Sequence, residues 1–456
     1  MSSENPTYQV LRSKVPASWD VCSLSSVTDF QEGPGILAKD FHQSGVPLLR
    51  LRNIETPTVR LEGCNFLDPE KVAKKWAHFA LRKNDLLIST SASLGRVSAV
   101  DENSVGAIAY TGIIRFRSSD PKKLDLGYLR AFLSSAAFVE QAEQMATGSV
   151  IRHFGPSHLK QMSIALPNLT EQRRIAEISD ALDDRIALLR KTNATLEAIA
   201  QALFKSWFVN FDPVHAKSAG FKPECMDAAT AALFPDSFEE SELGLVPRGW
   251  QICSILDIAD LLSGGTPKTD RAEFWGGEIS WASAKDVSQT PNSILTSTDR
   301  TITALGLQKS STRMIPALST VVVARGATTG RMVMFGKAMA MNQTCYALES
   351  KAGTPVALYL LLKKEIDALT QKAHGSVFDT ITTSTFSASK TLQIPDALLS
   401  CFESVAGPLF HRILMGTQQT KTLTQLRDTL LPRLISGQLR LVEAEADVEN
   451  ALSKCG

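Results

Sequence analysis

The chain repeats itself, and nothing else in the sequence constrains its fold as much. Val15-Pro16-Ala17-Ser18-Trp19-Asp20-Val21-Cys22-Ser23-Leu24 returns 231 residues later as Val246-Pro247-Arg248-Gly249-Trp250-Gln251-Ile252-Cys253-Ser254-Ile255, keeping Val, Pro, Trp, Cys and Ser. Residues 85–96, an apolar strand and a small-residue loop closing on Gly95-Arg96, return as 320–331, closing on Gly330-Arg331. Gly148-Ser149-Val150 returns as Gly375-Ser376-Val377. The offset drifts by a few residues between segments, which places short insertions in loops, where they are tolerated. A duplicated unit implies two similar cores, in keeping with 456 residues, a length at which one core has stopped growing.

Within each copy, short apolar runs at 86–89, 113–117, 321–324 and 345–348 read as strands. The segments starting near Tyr128 and Tyr359 carry apolar residues at helical spacing, so each copy is expected to be α+β. Trp19 and Trp250 occupy matched positions and are expected in the cores rather than against a base.

Each copy is followed by a long helix. Ile175, Leu182, Leu189, Leu196 and Leu203 fall seven apart, flanked by Ile178, Ile186 and Ile199, which is a coiled-coil seam. Thr170 and Glu171 suit its start, and it should end near Trp207. Shifted by 227, the seam is answered by Phe402, Leu409, Gly416, Leu423 and Leu430, flanked by Val405, Ile413 and Leu426; only Leu189 has a small counterpart. A helix of about 35 residues is roughly 50 Å long. Paired antiparallel, two such helices would hold the two units apart about a pseudo-two-fold axis. Symmetric DNA-binding dimers work this way, with half-sites about 34–36 Å apart or a multiple of that. Because the two units differ in sequence, the expected target is bipartite and asymmetric. The competing reading is a coiled-coil interaction scaffold without DNA contact.

Composition adds little but excludes some classes. Hydrophobic content of 44% and charged content of 21% are those of an ordinary globular protein. No apolar run nears the roughly 18 residues that span a bilayer, so no membrane association and a cytoplasmic location are expected. The seven cysteines are scattered, never as C-x-x-C, and read as reduced thiols. The net charge of +1 hides two mildly basic stretches, 1–166 and 245–400, alternating with an acidic one and a neutral one.

No catalytic site is expected. The chain has no Asn or Asp before Pro-Pro-aromatic of the kind that clamps a target amine, and Asp212-Pro213-Val214 does not supply it. No G-x-x-x-x-G-K-[ST] loop and no G-x-S-x-G elbow occur. Asp183-Asp184 are neighbours on a helix and point apart, so one metal could hardly bridge them. The seven histidines have neither Glu at helical spacing nor Cys company, and no metal site is expected.

The exit of the first long helix, Leu203-Phe204-Lys205-Ser206-Trp207-Phe208-Val209-Asn210-Phe211-Asp212-Pro213-Val214, resembles the central spacer of type I restriction-modification specificity (S) subunits, the HsdS family. Leu430-Leu431-Pro432-Arg433-Leu434-Ile435-Ser436-Gly437 resembles that family's terminal segment, and Pro167, Glu171-Gln172, Ile175, Leu182-Asp183 and Ile186 its helix entry. The likeness spans about residues 10–441. It implies an α+β fold with two α/β target-recognition domains separated by two long antiparallel coiled-coil helices in a pseudo-two-fold internal repeat. The expected segments are recognition domain 1 at 1–166, the central spacer helix at 167–210, a linker at 211–244, recognition domain 2 at 245–398, the C-terminal spacer helix at 399–441 and an acidic tail at 442–456. The tail, with Glu443, Glu445, Asp447 and Glu449, is expected to be a solvated end. The resemblance also implies partners: double-stranded DNA, two DNA adenine methyltransferase (M) subunits and restriction/translocase (R) subunits. S-adenosylmethionine, ATP and Mg would belong to those subunits, leaving this chain without a cofactor. Two departures stand out: the second helix entry, Leu399-Ser400-Cys401-Phe402, lacks the Glu-Gln of the first, and Asn342-Gln343 is answered by Tyr110-Thr111.

Guanine edges favour Arg or Lys, adenine favours Asn or Gln, and phosphates accept Arg, Lys, Ser, Thr and backbone amides. On loops, that selects Arg50, Arg52, Arg96, Ser149, Arg152 and His153 in the first copy. In the second it selects Lys268, Thr269 and Arg271 of the glycine loop starting at Gly264, with Lys285, Arg331, Asn342, Gln343 and Ser376.

Overall fold

The computed structural model describes residues 6–90, 96–145, 155–372 and 380–453. The chain folds as two units, Met1–Leu188 with Gln419–Gly456, and Leu189–Gln418. Each unit holds one globular head and about half of each long helix.

In the first unit the strands are β1 (Asp20–Ser23), β2 (Thr28–Glu32), β3 (Val46–Leu49), β4 (Asn65–Leu67), β5 (Leu86–Ser89), β6 (Val97–Ala99), β7 (Ile108–Ala109), β8 (Ile113–Ser118) and β9 (Ser163–Leu166). They form an antiparallel sheet in the order β2-β8-β5-β6, a three-stranded sheet β4-β3-β7, and the ribbon β1-β9. β5 is buried along its whole length and apolar up to Ser89, as suits a strand covered on both faces. The helix Leu126–Ser134 packs Tyr128, Leu129 and Phe132 into this core.

The second unit repeats the plan. Its strands are β10 (Phe238–Ser241), β11 (Gly244–Pro247), β12 (Gln251–Ser254), β13 (Ala259–Ser263), β14 (Trp275–Ala282), β15 (Ile294–Leu295), β16 (Arg300–Ile302), β17 (Thr320–Val323), β18 (Met332–Phe335), β19 (Ala340–Met341), β20 (Cys345–Ser350) and β21 (Lys390–Gln393). The sheets run β13-β20-β17-β18-β15, β16-β14-β19 and β12-β21, which are the first unit's three arrangements with β15 added. Even the parallel pair recurs, β3 with β7 and β14 with β19. The repeated sequence therefore encodes one topology twice. Trp19 and Trp250 are both buried, Trp250 among Phe208 and Phe211.

Segment 211–244 is folded rather than a bare connection. It carries the helices Asp212–Ser218 and Ala228–Ala232 and the hairpin β10-β11. Val214 and Phe234 are buried there, and Phe234 meets Trp207 edge to face at 5.5 Å. The acidic tail, expected as a solvated end, is instead the helix Leu441–Ser453, which buries Ala444 and Val448 and pairs Glu445 with Arg174.

The two long helices, Leu169–Phe208 and Asp396–Ile435, are 40 residues each. Asn168, rather than Thr170, caps the first one: its Oδ1 accepts the Glu171 amide at 3.0 Å. In the first unit Ile175, Leu182, Ile186, Leu423, Leu430 and Leu434 are buried, and Arg427 pairs with Asp183 at 2.7 Å. In the second unit the helices run antiparallel, with Asn193 against Ile413 and Thr417, and Phe204, Trp207 and Phe208 around Phe402.

The seam drifts from the strict heptad. Leu189 is buried, yet Leu196, Leu203 and Leu409 only flank the core, while Ala200, Phe204, Trp207, Ala406, Phe410 and Ile413 fill it. Ile199 and Val405, expected beside the seam, are each 45% exposed. An α-helix turns every 3.6 residues rather than 3.5, so a stripe held in heptads slides off the contact line by about 20° per heptad.

Gly416, the one break in the repeat, faces Asn193. A Cβ at Gly416 would lie 2.4 Å from Asn193 Oδ1. The Asn193 amide donates to the Ile413 carbonyl and to Thr417 Oγ1, both at 3.3 Å, and Asn292 donates to the same hydroxyl at 3.0 Å. A buried asparagine on a helix seam sets register, because a slipped pairing leaves its amide unsatisfied. Gly416→Ala should therefore destabilise the wild-type chain by about 1–3 kcal/mol through overpacking. In an Asn193→Ala background the same change should stabilise by up to about 1 kcal/mol, the helix-propensity gain. Urea denaturation of the four proteins in a double-mutant cycle measures this; no change of sign would mean that the glycine does not answer the asparagine.

Candidate nucleic-acid interface

In both heads a glycine loop is pressed onto the end of the three-stranded sheet. A Cβ at Gly33 would lie 2.0 Å from the Ala109 carbonyl oxygen, and one at Gly264 would lie 2.1 Å from that of Asn342. Only glycine lets two backbones approach so closely. Tyr110-Thr111 and Asn342-Gln343 thus occupy equivalent places despite their different chemistry. In the first head the Thr111 amide donates to the Pro34 carbonyl at 3.2 Å. In the second the Gly265 amide donates to the Met341 carbonyl at 2.9 Å, and the Thr266 hydroxyl to Gln343 Oε1.

The basic residues divide by what already holds them. Arg50 is exposed, with its guanidinium 5.9 Å from the Tyr110 ring centroid. Arg52 is exposed and donates to the Gly63 carbonyl; Arg96 is exposed just before β6. In the second head Lys268 and Thr269 are exposed on the glycine loop. Arg271 pairs with Glu273 at 2.8 Å and Lys285 with Asp299 at 2.7 Å, a bond that raises the Lys285 pKa. Asn342 Oδ1 accepts the Thr344 amide at 3.2 Å and its hydroxyl at 2.8 Å, so that side chain is partly committed to the turn. Arg331 is exposed and lines a cleft of about 490 Å³ with Glu197, Asn292, Tyr359, Lys363 and Asp367, which does not include the glycine loop. Ser149, Arg152, His153 and Ser376 lie outside the described residues.

Two features were not read from the sequence. Arg300, at the start of β16, lies 3.4 Å from the centroid of the Trp275 ring. Its counterpart by register in the first head is Asn65, which carries no charge; only the pairing of β16 with β14 brings Arg300 to the tryptophans. The other is the way each head is tied to a long helix. Gln172 is buried; its Oε1 accepts the Asp125 amide at 2.8 Å and its Nε2 donates to the carbonyls of Lys123 and Pro167. The second long helix lacks that glutamine and uses Glu403, whose carboxylate accepts the amides of Val356 and Ala357, both at 3.1 Å, at the start of the helix Pro355–Lys372. Burial raises the Glu403 pKa, and the two amide bonds oppose that shift.

Asp183 is engaged by Arg427, and among the described residues no three His, Cys, Asp or Glu side chains gather as a metal site. No helix among the described residues is long and apolar enough to cross a membrane.

The family model for the type I restriction modification DNA specificity domain matches residues 16–198 and 247–397, more than half of the chain. The chain belongs to this family. Similar members include the type I restriction enzyme HindI specificity subunit of Haemophilus influenzae, 30% identical over 323 residues, covering 62% of this chain and 70% of that one. The MjaIX specificity subunit of Methanocaldococcus jannaschii is 24% identical over 451 residues, covering 94% and 95%. The fold is similar to that of the type I restriction-modification S subunit from M. genitalium, with a TM-score of 0.54 at 17% identity, covering 92% of this chain and 98% of that one. The two family matches fall on the two copies of the repeat, and the gap between them holds the end of the first long helix and the folded segment that opens the second head.

Proposed function

We propose that this chain is the DNA-reading specificity subunit of a type I restriction-modification complex. Each head reads one half of a bipartite, asymmetric duplex site through loops at its three-stranded sheet. The chain scaffolds two adenine methyltransferase subunits and the restriction/translocase subunits, which hold S-adenosylmethionine, ATP and Mg. It performs no catalysis, carries no cofactor and works in the cytoplasm. The observation that carries this reading is the duplication: one sheet topology occurs twice, with an exposed arginine on an aromatic ring beside a close-packed glycine loop in each head.

Genome-wide mapping of methylated adenine tests it. The expected result is a motif of two unlike half-sites with a fixed gap of several base pairs, methylated once on each strand and lost when this gene is deleted. Methylation that persists unchanged after deletion, with the methyltransferase subunit expressed, would contradict the proposal.

A further inference from the structure

We infer that Arg300 is the residue through which the second head grips duplex DNA, its guanidinium plane fixed in advance by Trp275; the assignment rests on the DNA-reading role proposed above.

The arginine sits on a built platform. The indole Nε1 of Trp275 donates to the Lys268 carbonyl at 3.1 Å, and that of Trp281 to the Gly265 carbonyl at 3.0 Å. The glycine loop therefore immobilises both rings, which meet edge to face at 5.1 Å. Arg300 is the cross-strand partner of Trp281, and its guanidinium lies 3.4 Å from the Trp275 ring centroid and 5.8 Å from that of Trp281. A bulge makes this possible: Trp275 and Ile279 both register against Ile302, so residues 276–278 are extra on the β14 side. A Cβ at Gly277 would lie 2.6 Å from the Ile302 carbonyl oxygen, so the bulge needs a glycine there.

The charge on Arg300 is available where its neighbours' charges are not. Glu273 is taken by Arg271 and Asp299 by Lys285. Among the described residues the Arg300 guanidinium has neither a carboxylate partner nor a hydrogen-bond acceptor, and the two indoles are the rings it lies over. Stacking occupies the face of a guanidinium and leaves the N–H groups on its edge free to donate in the plane. Such a group, held in one orientation beside the exposed Lys268 and Thr269, suits a flat acceptor that takes two parallel hydrogen bonds. Duplex DNA offers two: a backbone phosphate and the O6/N7 edge of guanine. The first head places Arg50 over Tyr110 beside its own glycine loop, a looser version of the same device.

The test uses the full-length chain assembled with its methyltransferase. Binding of Arg300→Ala, Arg300→Lys and Trp275→Leu is measured on a randomised duplex pool and, across a salt series, on the preferred duplex. Arg300→Ala should weaken binding about tenfold or more, and Arg300→Lys should recover only part, because an ammonium cannot donate in a fork. Trp275→Leu should lose binding too, since the charge remains but its orientation does not. A loss shared by all sequences, with a salt slope smaller by about one, identifies the phosphate. Loss of a guanine preference at one position of one half-site, with the other half-site unchanged, identifies the base edge. If Arg300→Ala binds with wild-type affinity and preference, the assignment is wrong. A wild-type complex that binds no duplex overturns the DNA-reading role itself, and this assignment with it.

Discussion

Replacing Phe402 with alanine should cost the Leu189–Gln418 unit about 3–5 kcal/mol of stability. Phe402 is fully buried and lies within 5.2–5.8 Å of the Phe204, Trp207 and Phe208 ring centroids, so its loss opens a cavity walled by three rings that cannot collapse together. Domain stabilities are typically about 5–15 kcal/mol, so this one change should remove a large share of the total. Val405, three residues on and on the same helix, is 45% exposed, and Val405→Ala should stay within about 0.5 kcal/mol. Urea denaturation followed by circular dichroism compares the two. Similar effects at both positions would show that the helices do not meet along the drifted seam.

Asp85→Ala should be nearly as damaging to the first unit. The Asp85 side chain is 2% exposed and takes the Arg117 guanidinium with both oxygens, at 2.5 and 2.7 Å, while also accepting the Arg82 amide at 2.7 Å. The same hydrogen bond is the leading reason that the Arg117 pKa is raised. Removing the carboxylate leaves a half-buried cation with only a 3.4 Å bond to the Ala80 carbonyl, and strands a backbone donor. The expected cost is about 3 kcal/mol, the low end for breaking a buried pair, because the Arg117 side chain is 21% exposed and regains some water. By strand register the equivalent position in the second head is Ser319, and the hydroxyls of Ser319 and of its neighbour Thr320 are both buried without a hydrogen-bond partner among the described residues. Thr320→Val should therefore be neutral or slightly stabilising. A melting comparison in which Asp85→Ala is as mild as Thr320→Val would mean that the ion pair is not formed.

The heads differ most where they are tied down. The Glu-Gln of the first helix entry is missing from the second, and the sequence offers no sign of what replaces it. Glu403 does the work from four residues further along, reaching the start of the matching helix, Pro355–Lys372, where Gln172 reaches that of Leu126–Ser134. Gly416 looked like a weak point in the seam until Asn193 was found opposite it. Of the candidate contacts, the glycine loop at Gly264 and Arg50 could be selected from residue type and loop context. Arg300 could not, because nothing in residues 298–302 signals a tryptophan twenty-five positions earlier.

The sequence alone determined the duplication, both long helices (the first to within two residues of its ends, the second to within six), the central strands of each head and the family. These rest on local periodicity and on motifs, and both are written within stretches of ten to twenty residues. The tertiary structure alone decided which side chains meet: the drifted seam, Asn193 against Gly416, Glu403 on the amides of Val356 and Ala357, the packed tail helix and the Trp275–Arg300 stack. The reason is that such pairings depend on strand register and helix phase, and a shift of one residue in either would give every side chain a different neighbour.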